Sequence, residues 1–459
     1  MAVTFASPKA FTVHFKDLVR WDIKTARAVR FYREHPFLRP LSEFAEEATE
    51  IVRPWEKGDQ EWPVYGVNNE TGVFRSHLQR GETFNASYKR IRQDWFFHNP
   101  TRANVGSLGR VPDVPPNAIT SPEYQVWRIR RRITPDFMEL LLRMPFFLKQ
   151  VEFHRVGAVK ERLFVQNLLE IRIPALPEPR QVAMVARWWN AQTAAAKSRE
   201  AVAALEAGIP LEIYKALGTP RPGADCALPK LLVLWWTQMD RWSFNYIARA
   251  RQGLLGFASS HYPIRPLSEH LLGTMNGYCI RPVQTRTPHK MLKLSALTPA
   301  GLDVQESKFV KVSDRIAQRF HIRKADLLIC RSNSYEYVAK TAVVDRDQPN
   351  VLFPDIIIRA RIGDGLLVDY AREVMECPLG RAYFQVNSRR AVGGMWKIGA
   401  EDIRNFPIPI PPMEVQRKIV EMVSEKRARI AEERKAAEER QVQAIREVED
   451  MILGVRPIG

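Results

Sequence analysis

Two polar segments of the sequence carry the residue types that read DNA. The first, HNPTRANVGSLGR at residues 98–110, offers candidate DNA-contacting side chains at Asn99, Arg102, Asn104, Ser107 and Arg110. The second, CRSNSYEYVAK at residues 330–340, offers Arg331, Ser332, Asn333, Ser334, Tyr335 and Lys340. Arginine and asparagine hydrogen-bond bidentately to guanine and adenine edges, and glycine lets the backbone approach a phosphate. The competing interpretation of any one of these residues is a solvated polar loop.

Two further basic segments extend this set. NASYKRIR at residues 85–92 interleaves an aromatic ring with cations at Tyr88, Lys89 and Arg90, and TRTPHKMLK at residues 285–293 adds Arg286 and Lys290. Clustered cations with aromatic neighbours are typical of nucleic-acid surfaces. We therefore predict DNA contact from these segments as a group.

Motifs for catalysis are missing from the sequence. It contains no G-x-x-x-x-G-K-[ST] nucleotide loop, no HExxH motif and no Cys/His cluster with metal-ligand spacing. The strings NPTR at residues 99–102 and VPPN at residues 114–117 do not fit the [ND]PP[FY] loop of a DNA amino-methyltransferase. We predict that the chain is not itself an enzyme and holds no metal.

The sequence contains an internal repeat, and each copy of the repeat contains one of the two polar segments. RPLSE at residues 39–43 returns unchanged at residues 265–269, an offset of 226. Four further matches lie in the same order, at offsets rising from 221 to 235: Arg20-Trp21 with Arg241-Trp242, Asp94 with Asp326, Pro122 with Pro354, and Pro174 with Pro409. Collinear matches indicate two copies of one structural unit.

Each copy is predicted to contain short β-branched or aromatic strands. In the first copy these are residues 64–67, 95–97 and 124–129, and in the second copy residues 325–330, 342–344 and 355–358. Residues 135–147 have apolar side chains at helical spacing and predict a helix. The mixture predicts an α+β fold.

A long helix is predicted to follow each copy, introduced by a proline-rich segment that ends in glutamine. The segments are IPALPEPRQ at residues 173–181 and IPIPPMEVQ at residues 408–416. The first helix carries a stripe of Met184, Trp188, Ala191, Ala195, Ser198, Val202 and Leu205, and Gly208 and Pro210 are expected to end it. The second helix has a stripe near 3.5-residue spacing that includes Ile419, Val423 and Ile430, broken by Lys426 and Glu433. A helix of this kind needs a partner helix, and the chain supplies two.

These features predict a sequence of domains. We expect a first globular domain at residues 1–175, a first long helix at 176–207, a linker at 208–230, a second globular domain at 231–410 and a second long helix at 411–453. The linker contains three glycines and four prolines. The apolar run at residues 231–236 is interpreted as an element that docks the second domain.

Composition restricts the class of protein. A chain of 459 residues with 45% apolar residues can bury sizeable cores, and no window approaches the ~20 apolar residues of a membrane span. The net charge of +18 favours a polyanionic partner, with nucleic acid ahead of acidic lipid. Four widely spaced cysteines and the lack of a signal-peptide pattern predict reduced thiols and a cytoplasmic location.

On these motifs, the chain resembles the specificity subunit of Type I restriction-modification systems. That family has two target-recognition domains, each followed by a long helix behind an I-P-x-P-P-x-x-x-Q-like segment, as at residues 173–181 and 408–416. KADLLICRSNS at residues 324–334 is similar to the family's G-D-L-L-I-x-R-x-x-S pattern, with Ala325 where glycine is usual.

The resemblance implies a non-catalytic subunit that reads a bipartite, asymmetric DNA target in phage defence. Two antiparallel helices would form a coiled-coil spacer of at most about 50–60 Å between the two recognition domains. It also implies two DNA methyltransferase subunits that carry S-adenosylmethionine, and an ATP- and Mg-dependent restriction subunit. The expected docking surface is the helices with their proline entries, for which we single out Pro177, Gln181, Pro412 and Gln416.

Two other classes of protein stay open at this stage. One is a DNA-binding assembly scaffold without sequence preference, whose basic charge is incidental. The other is a self-contained DNA-modifying enzyme, which the missing motifs disfavour.

Overall fold

The computed structural model describes residues 21–219 and 260–455, together with residues 12–14, 16, 18 and 257. The chain divides into two compact units: unit 1 is Met1–Lys197 with Ala436–Gly459, and unit 2 is Ser198–Lys435. The helices of the described residues are α1 (Ile23–Glu34), α2 (Pro135–Leu142), α3 (Pro145–His154), α4 (Val165–Leu168), α5 (Glu178–Leu217), α6 (Asp314–Phe320), α7 (Val368–Glu376), α8 (Pro378–Asn387), α9 (Ala400–Arg404) and α10 (Met413–Ile452). No helix of the described ranges has the length and apolar character to cross a membrane.

The described residues of unit 1 form three sheets. Its strands are β1 (Leu38–Pro40), β2 (Ala45–Glu47), β3 (Ile51–Val52), β4 (Glu61–Asn68), β5 (Gly72–Arg80), β6 (Tyr88–Arg90), β7 (Phe96–His98), β8 (Leu108–Arg110), β9 (Ile119–Thr120), β10 (Gln125–Ile129) and β11 (Arg172–Pro174). An antiparallel sheet has the order β2-β10-β7-β8, and a mixed sheet has the order β3-β6-β9-β4-β5 with β4 parallel to β9. The third sheet is the antiparallel pair β1-β11.

Unit 2 repeats this plan. Its strands are β12 (Ile264–Pro266), β13 (Leu271–Asn276), β14 (His289–Leu292), β15 (Leu297–Thr298), β16 (Gly301–Leu302), β17 (Ser307–Val310), β18 (His321–Ile322), β19 (Asp326–Cys330), β20 (Ser332–Asn333), β21 (Thr341–Val343), β22 (Gln348–Leu352), β23 (Ile357–Ile362), β24 (Arg389–Arg390), β25 (Trp396–Lys397) and β26 (Pro407–Pro409). The antiparallel sheet is β13-β23-β19-β21, the mixed sheet is β17-β14-β22-β18 with β14 parallel to β22, and the terminal pair is β12-β26. The described part of unit 2 also holds two small sheets, β15-β16 and β20-β25-β24.

The shared strand order establishes the internal duplication. In unit 1, Arg39 pairs with Ile173, and in unit 2, Arg265 pairs with Ile408 at the same place in the equivalent two-stranded sheet. The repeated RPLSE segment therefore pairs, in both copies, with the start of the proline segment that leads into the long helix. The predicted α+β class with two related units is confirmed.

One equivalence between the copies was predicted one residue out of register. The backbone N–H of Asp94 donates to Val111 O at 3.1 Å, and the N–H of Ala325 donates to Val344 O at 2.9 Å. Both residues have left-handed φ angles, 64° for Asp94 and 65° for Ala325. Asp94 is thus equivalent to Ala325 and not to Asp326. The sequence comparison aligned the two aspartates, whereas the two units share the turn residue with a left-handed φ. The left-handed φ also explains why glycine would suit position 325.

Most predicted strands form close to their expected bounds, but the strand predicted at residues 355–358 is β23, which begins at Ile357 and runs to Ile362. The predicted helix at residues 135–147 is two helices. Met144 is extended, with φ −82° and ψ 138°, and Pro145 starts α3. The residue before a proline avoids the α region, which breaks the run between α2 and α3. The equivalent break in unit 2 lies between α7 and α8 at Pro378.

The first long helix is longer than predicted. The expectation that Gly208 and Pro210 end it is wrong, since α5 continues to Leu217 with Pro210 inside it. A proline costs an internal hydrogen bond, but Ile213, Tyr214 and Leu217 beyond it are buried in the apolar core of unit 2. Packing of that last stretch offsets the proline. Residues 220–230 of the predicted linker, the run at 231–236 and Arg241-Trp242 lie outside the described residues.

Each unit is closed by a part of both long helices. In unit 1, Met184 and Trp188 of α5 share the core with Val448 and Ile452 of α10. The stripe predicted for α5 is largely buried, with Met184, Trp188, Ala195, Ser198 and Val202 all under 9% exposed. In unit 2, Ile419 and Val423 of α10 join Ile213 of α5 in the second core.

Side-chain contacts between α5 and α10 within each unit show the relative direction of the two helices. In unit 1, Arg187 Nη2 lies 2.5 Å from Glu447 Oε2, and Gln441 Nε2 lies 3.5 Å from Gln192 Oε1 further along. In unit 2, Arg434 pairs with Glu206 and Lys426 pairs with Glu212. Contact positions rise along one helix as they fall along the other, so the helices are antiparallel within each unit. Lys426, which interrupts the apolar stripe of α10, is thus an ion-pair partner of α5.

Candidate nucleic-acid interface

The first candidate segment is the connection between β7 and β8 of unit 1. β7 is fully buried, because its aromatic side chains fill the unit 1 cores. The chain then turns through a 3-10 segment, Ala103–Val105, and Gly106 takes a left-handed φ of 89°. Arg102 is exposed at the start of this turn, and no acidic partner for its side chain is found within the described residues. Arg102 is the side chain of this segment best placed to reach a ligand.

The other predicted side chains of this segment differ in availability. Asn99 Oδ1 accepts hydrogen bonds from Thr101 N at 3.0 Å and Thr101 Oγ1 at 2.9 Å, which shapes the turn. Asn104 is half-buried. Ser107 is only 3% exposed, and its carbonyl oxygen accepts the Asn99 N–H at 3.0 Å. Ser107 therefore closes the loop and is not presented to a ligand.

Arg110 is held in an acidic cluster. Its guanidinium lies 2.6 Å from Asp94 Oδ1, 2.5 Å from Asp136 Oδ1 and 3.6 Å from Glu139 Oε2. Burial on its own would lower the pKa of Arg110, but hydrogen bonds to Asp94 and Asp136 raise it. The Arg110 guanidinium thus links β8 to α2 and to the turn that precedes β7. In this geometry it is not available for the expected DNA contact.

His98, the last residue of β7, is buried beneath the start of the loop and hydrogen-bonds to a neighbouring segment of the backbone. It is fully buried, and its Nε2 lies 2.9 Å from Leu163 O. Burial lowers the pKa of His98 from 6.5 to about 4, so the ring is neutral at pH 7 and donates from Nε2. Within the part of the chain that the structure describes, its Nδ1 has no hydrogen-bond partner.

The basic segment on β6 is used mainly inside unit 1. Lys89 Nζ donates to Tyr124 O at 2.7 Å, and burial lowers the pKa of Lys89. Arg90 Nη1 donates to Pro116 O at 2.5 Å while its guanidinium lies over the Trp62 ring. Tyr88 packs edge-on against Phe84, with ring centroids 4.8 Å apart. These three side chains stabilise the mixed sheet, and each stays only partly exposed.

The second candidate segment follows the equivalent strand, β19, in unit 2. Arg331 is half-buried and Ser334 is exposed, whereas Ser332 is only 3% exposed. Asn333 Oδ1 accepts the Ser334 N–H at 2.8 Å, and the Tyr335 ring lies 4.8 Å from the Trp396 ring. Lys340 Nζ lies over the Tyr337 ring at 5.6 Å. Each unit thus presents its loop at the equivalent point of its own antiparallel sheet, and the side chains of the two loops differ.

A buried ion cluster lies at the start of β19, at the opposite end of the strand from this second loop, and sequence reasoning missed it. Asp326 is 1% exposed and pairs with Arg361 Nε at 2.8 Å and Arg359 Nη1 at 3.7 Å. Burial lowers the pKa of Arg359. The available signal was the alternation of arginines in IIIRARI at residues 356–362, opposite a strand that begins with aspartate.

The third basic segment lies on and before β14. Arg286 is exposed in the preceding loop, and Lys290 is half-buried with its Nζ 5.5 Å from the Phe309 ring centroid. Arg286 is available to an anionic ligand, and Lys290 is partly engaged by its neighbour on β17.

A small sheet in unit 2 brings a segment to the second loop that the sequence analysis did not single out. β20 pairs with β25, and β25 pairs with β24, so residues 389–397 form a hairpin beside the loop at 330–340. The signal in the sequence was the pair of arginines, the Gly-Gly turn and the Trp-Lys pair in RRAVGGMWK.

The two glutamines predicted to bind partners are buried structural residues. Gln181 is 0% exposed: its Nε2 donates to Arg132 O at 2.7 Å and Leu176 O at 2.8 Å, and its Oε1 accepts the Thr134 N–H at 2.9 Å. A side chain with no exposed surface cannot contact another subunit, so the predicted partner role is wrong for Gln181.

Gln416 repeats this arrangement in unit 2. It is also 0% exposed, its Nε2 donates to Gly365 O at 3.0 Å and Pro411 O at 2.9 Å, and its Oε1 accepts the Leu367 N–H at 2.8 Å. Each glutamine ties the start of a long helix to the residues that lead into α2 or α7. The partner role predicted for Gln416 is wrong for the same reason. Pro177 and Pro412 are exposed, and their predicted role in binding a partner subunit stays a prediction.

Among the described residues no group of three or more His, Cys, Asp or Glu side chains could hold a metal ion. The side chains presented by the two loops offer hydrogen bonding, cation–anion pairing and ring stacking.

Comparisons with known proteins agree with this architecture. No protein-family model matches the sequence. The EcoKI specificity subunit, a Type I restriction enzyme component of Escherichia coli K12, is 28% identical over 152 residues, which is 33% of this chain and 32% of the relative. The Type I restriction enzyme EcoEI specificity subunit of Escherichia coli is 21% identical over 136 residues, 29% of this chain and 23% of the relative. The chain thus spans at most about a third of the length of the curated relatives it matches.

The fold is similar to a solved chain from work on complex assembly and conformational transition of the type I R-M system. The TM-score is 0.58 at 16% identity, and the match covers 91% of this chain and 96% of that chain. The resemblance to Type I specificity subunits inferred from the proline–glutamine segments is confirmed.

Proposed function

We propose that this chain, which resembles the specificity subunits of Type I restriction enzymes in sequence and fold, is the sequence-specific DNA-recognition subunit of such a system. The observation that carries the proposal is the duplicated topology: each unit presents a polar loop after the equivalent buried strand, β7 in unit 1 and β19 in unit 2. The loops differ in sequence, HNPTRANVGS against CRSNSYEY. Each unit therefore reads its own bases, and the target is bipartite and asymmetric.

The chemistry of the loops supports DNA as the ligand. Exposed Arg102 and half-buried Arg331 lie at the starts of the two loops, where a guanidinium can pair with a guanine edge or a phosphate. The net charge of +18 supplies the long-range attraction to a polyanion.

In this proposal the chemical step belongs to partner subunits, and this chain is not an enzyme. Two DNA methyltransferase subunits would carry S-adenosylmethionine, and an ATP- and Mg-dependent translocase would add cleavage, in a cytoplasmic phage-defence complex. The long helices are the proposed docking surface. Val182 and Trp189, seven residues apart on one face of α5, are 56% and 46% exposed, and Pro177 is exposed at the entry of that helix.

The test is co-purification of the chain with the methyltransferase encoded beside it, followed by single-molecule sequencing of methylated DNA. The expected result is a split motif with a fixed unspecified spacer, methylated on both strands. A stable complex that methylates without such a motif would support the scaffold class. Methylation or cleavage by this chain alone would make it an enzyme.

The assignment of one half-site to each unit has its own test. Arg102→Ala and Arg331→Ala are each expected to cost ~1–3 kcal/mol of binding, on duplexes that keep only the half-site of the altered unit. Each variant serves as the control for the other. An equal loss on unrelated DNA would show that the arginine contacts phosphate and does not read a base.

A further inference from the structure

The hairpin at residues 389–397 of unit 2 carries charge that the described structure leaves almost unopposed. Its nine residues, RRAVGGMWK, include three cations and no carboxylate. Arg389, Arg390 and Lys397 are all exposed. The nearest acid to Arg389 is Asp402, with Nη2 to Oδ1 at 3.9 Å, and no salt bridge to Arg390 or Lys397 is found among the described residues. The Asp402 carboxylate is buried while the Arg389 side chain stays 69% exposed, so the hairpin still presents three cations to solvent.

This hairpin is fixed to the proposed recognition loop. Lys397 pairs with Ser332, and Trp396 pairs with Asn333, in the three-stranded sheet. The Ile398 N–H donates to Arg331 O at 3.0 Å, and the Trp396 ring contacts Tyr335. The hairpin and the loop are therefore held side by side on one face of unit 2 by backbone pairing.

The tip of the hairpin is open. Gly393 and Gly394 both have left-handed φ angles, 78° and 77°, and a Cβ at either position would meet no atom within 4 Å. Backbone N–H groups at an exposed glycine pair can approach a phosphate closely, which a side chain at either position would hinder.

Unit 1 has a hairpin at the equivalent place with a different charge balance. Val156 and Arg162 exchange backbone hydrogen bonds at 2.9 and 2.8 Å, and the Leu163 N–H donates to Pro100 O at 2.9 Å, as Ile398 does to Arg331. Here Arg155 lies 3.4 Å from Glu161, which also pairs with Lys24. Glu161 partly neutralises the positive charge of this hairpin. The hairpin of unit 2 therefore exposes more positive charge beside its loop than the hairpin of unit 1 does.

We propose that the hairpin at residues 389–397 is a second DNA-contacting element of unit 2, with Arg389, Arg390 and Lys397 bound to backbone phosphates of double-stranded DNA beside the bases that the loop at residues 330–340 reads. The proposal rests on the proposed function, since it deepens the same interface. It makes unit 2 the stronger phosphate-binding half of the chain.

The experiment measures binding of the full-length chain to a fluorescein-labelled random-sequence duplex over a NaCl series. Each phosphate contact contributes about 0.9 to the slope of log K against log salt. The triple variant R389A/R390A/K397A is expected to lower that slope by about 2 to 3 and to weaken binding on the order of 100-fold at 0.1 M salt.

Two controls fix the interpretation. R417A/K418A/R429A removes the same charge from exposed positions of α10 and is expected to leave the slope within about 1 of the unaltered chain. R389K/R390K/K397R keeps the charge and is expected to keep the slope. A triple alanine variant with an unchanged slope, on a chain that binds DNA normally, would overturn the hairpin proposal alone. Failure of the unaltered chain to bind any duplex would overturn the proposed function with it.

Discussion

The buried glutamine at the start of α10 makes a quantitative prediction. Gln416 satisfies three backbone groups, Leu367 N–H, Gly365 O and Pro411 O, from a site with no solvent exposure. Gln416→Ala leaves all three without that partner. A buried polar group without its hydrogen bond costs roughly 1–3 kcal/mol, and water that enters the space left by the side chain recovers part of it. We expect unit 2 to lose about 3–5 kcal/mol of stability.

Hydrogen exchange with mass spectrometry resolves the effect by unit. In Gln416→Ala, peptides that contain Leu367 are expected to lose protection, and peptides of unit 1 are expected to keep it. Gln181→Ala is the matched change in unit 1 and is expected to expose the amide of Thr134. Gln443→Ala, an exposed glutamine on the same helix as Gln416, is the control and is expected to cost under about 0.5 kcal/mol. Unchanged protection in Gln416→Ala together with lost methyltransferase binding would refute the structural role and restore the partner role.

Three further predictions concern the backbone and a buried ring. Because the pKa of His98 is about 4 in the folded chain against 6.5 when free, the unfolded state takes up the proton first, and unit 1 is expected to lose about 3 kcal/mol as pH falls from 6.5 to 4. Urea unfolding of His98→Gln should lack this acid-dependent loss. Ala325→Gly, at a left-handed φ, is expected to stabilise unit 2 by about 1 kcal/mol in thermal unfolding, whereas Ala342→Gly in β21 should destabilise it. Pro210→Ala is expected to restore a hydrogen bond inside α5 and to stabilise it by about 2 kcal/mol, seen as slower amide exchange near that position; faster exchange there would contradict the proline cost.

Much of the architecture was accessible from the sequence because it occurs twice. The matched proline–glutamine segments and the two RPLSE strings predicted the duplication, and the structure pairs those segments with each other in β1-β11 and β12-β26. The chemistry of Gln181 and Gln416 was misassigned for the same reason. A repeated residue signals a shared requirement, and the sequence does not distinguish a shared interface from a shared internal hydrogen bond.

The candidate interface was less accessible, since availability of a side chain depends on tertiary neighbours. Arg110 and Arg102 look alike in the loop sequence, but the Asp136 carboxylate, 26 residues further along the chain, reaches only Arg110. The sequence does not predict that the hairpin at residues 389–397 lies beside the loop, because its partner strand, β20, lies more than 50 residues earlier. Local sequence patterns predicted the helices and strands well. Which basic side chains are exposed to a ligand depended on contacts with residues far away in the sequence.

The sharing of both long helices between the units has a consequence for biosynthesis. All of Ser198–Lys435 leaves the ribosome before Ala436–Gly459, which supplies Val448 and Ile452 to the unit 1 core. At ~5–20 residues per second, the residues of unit 2 take roughly 10–50 s to be made. Unit 2 can therefore complete its core first, while Met184 and Trp188 of unit 1 stay uncovered until residues 436–459 have been made. Unit 1 therefore closes after unit 2, and a nascent chain stalled before residue 436 would leave an open apolar surface for chaperones to bind.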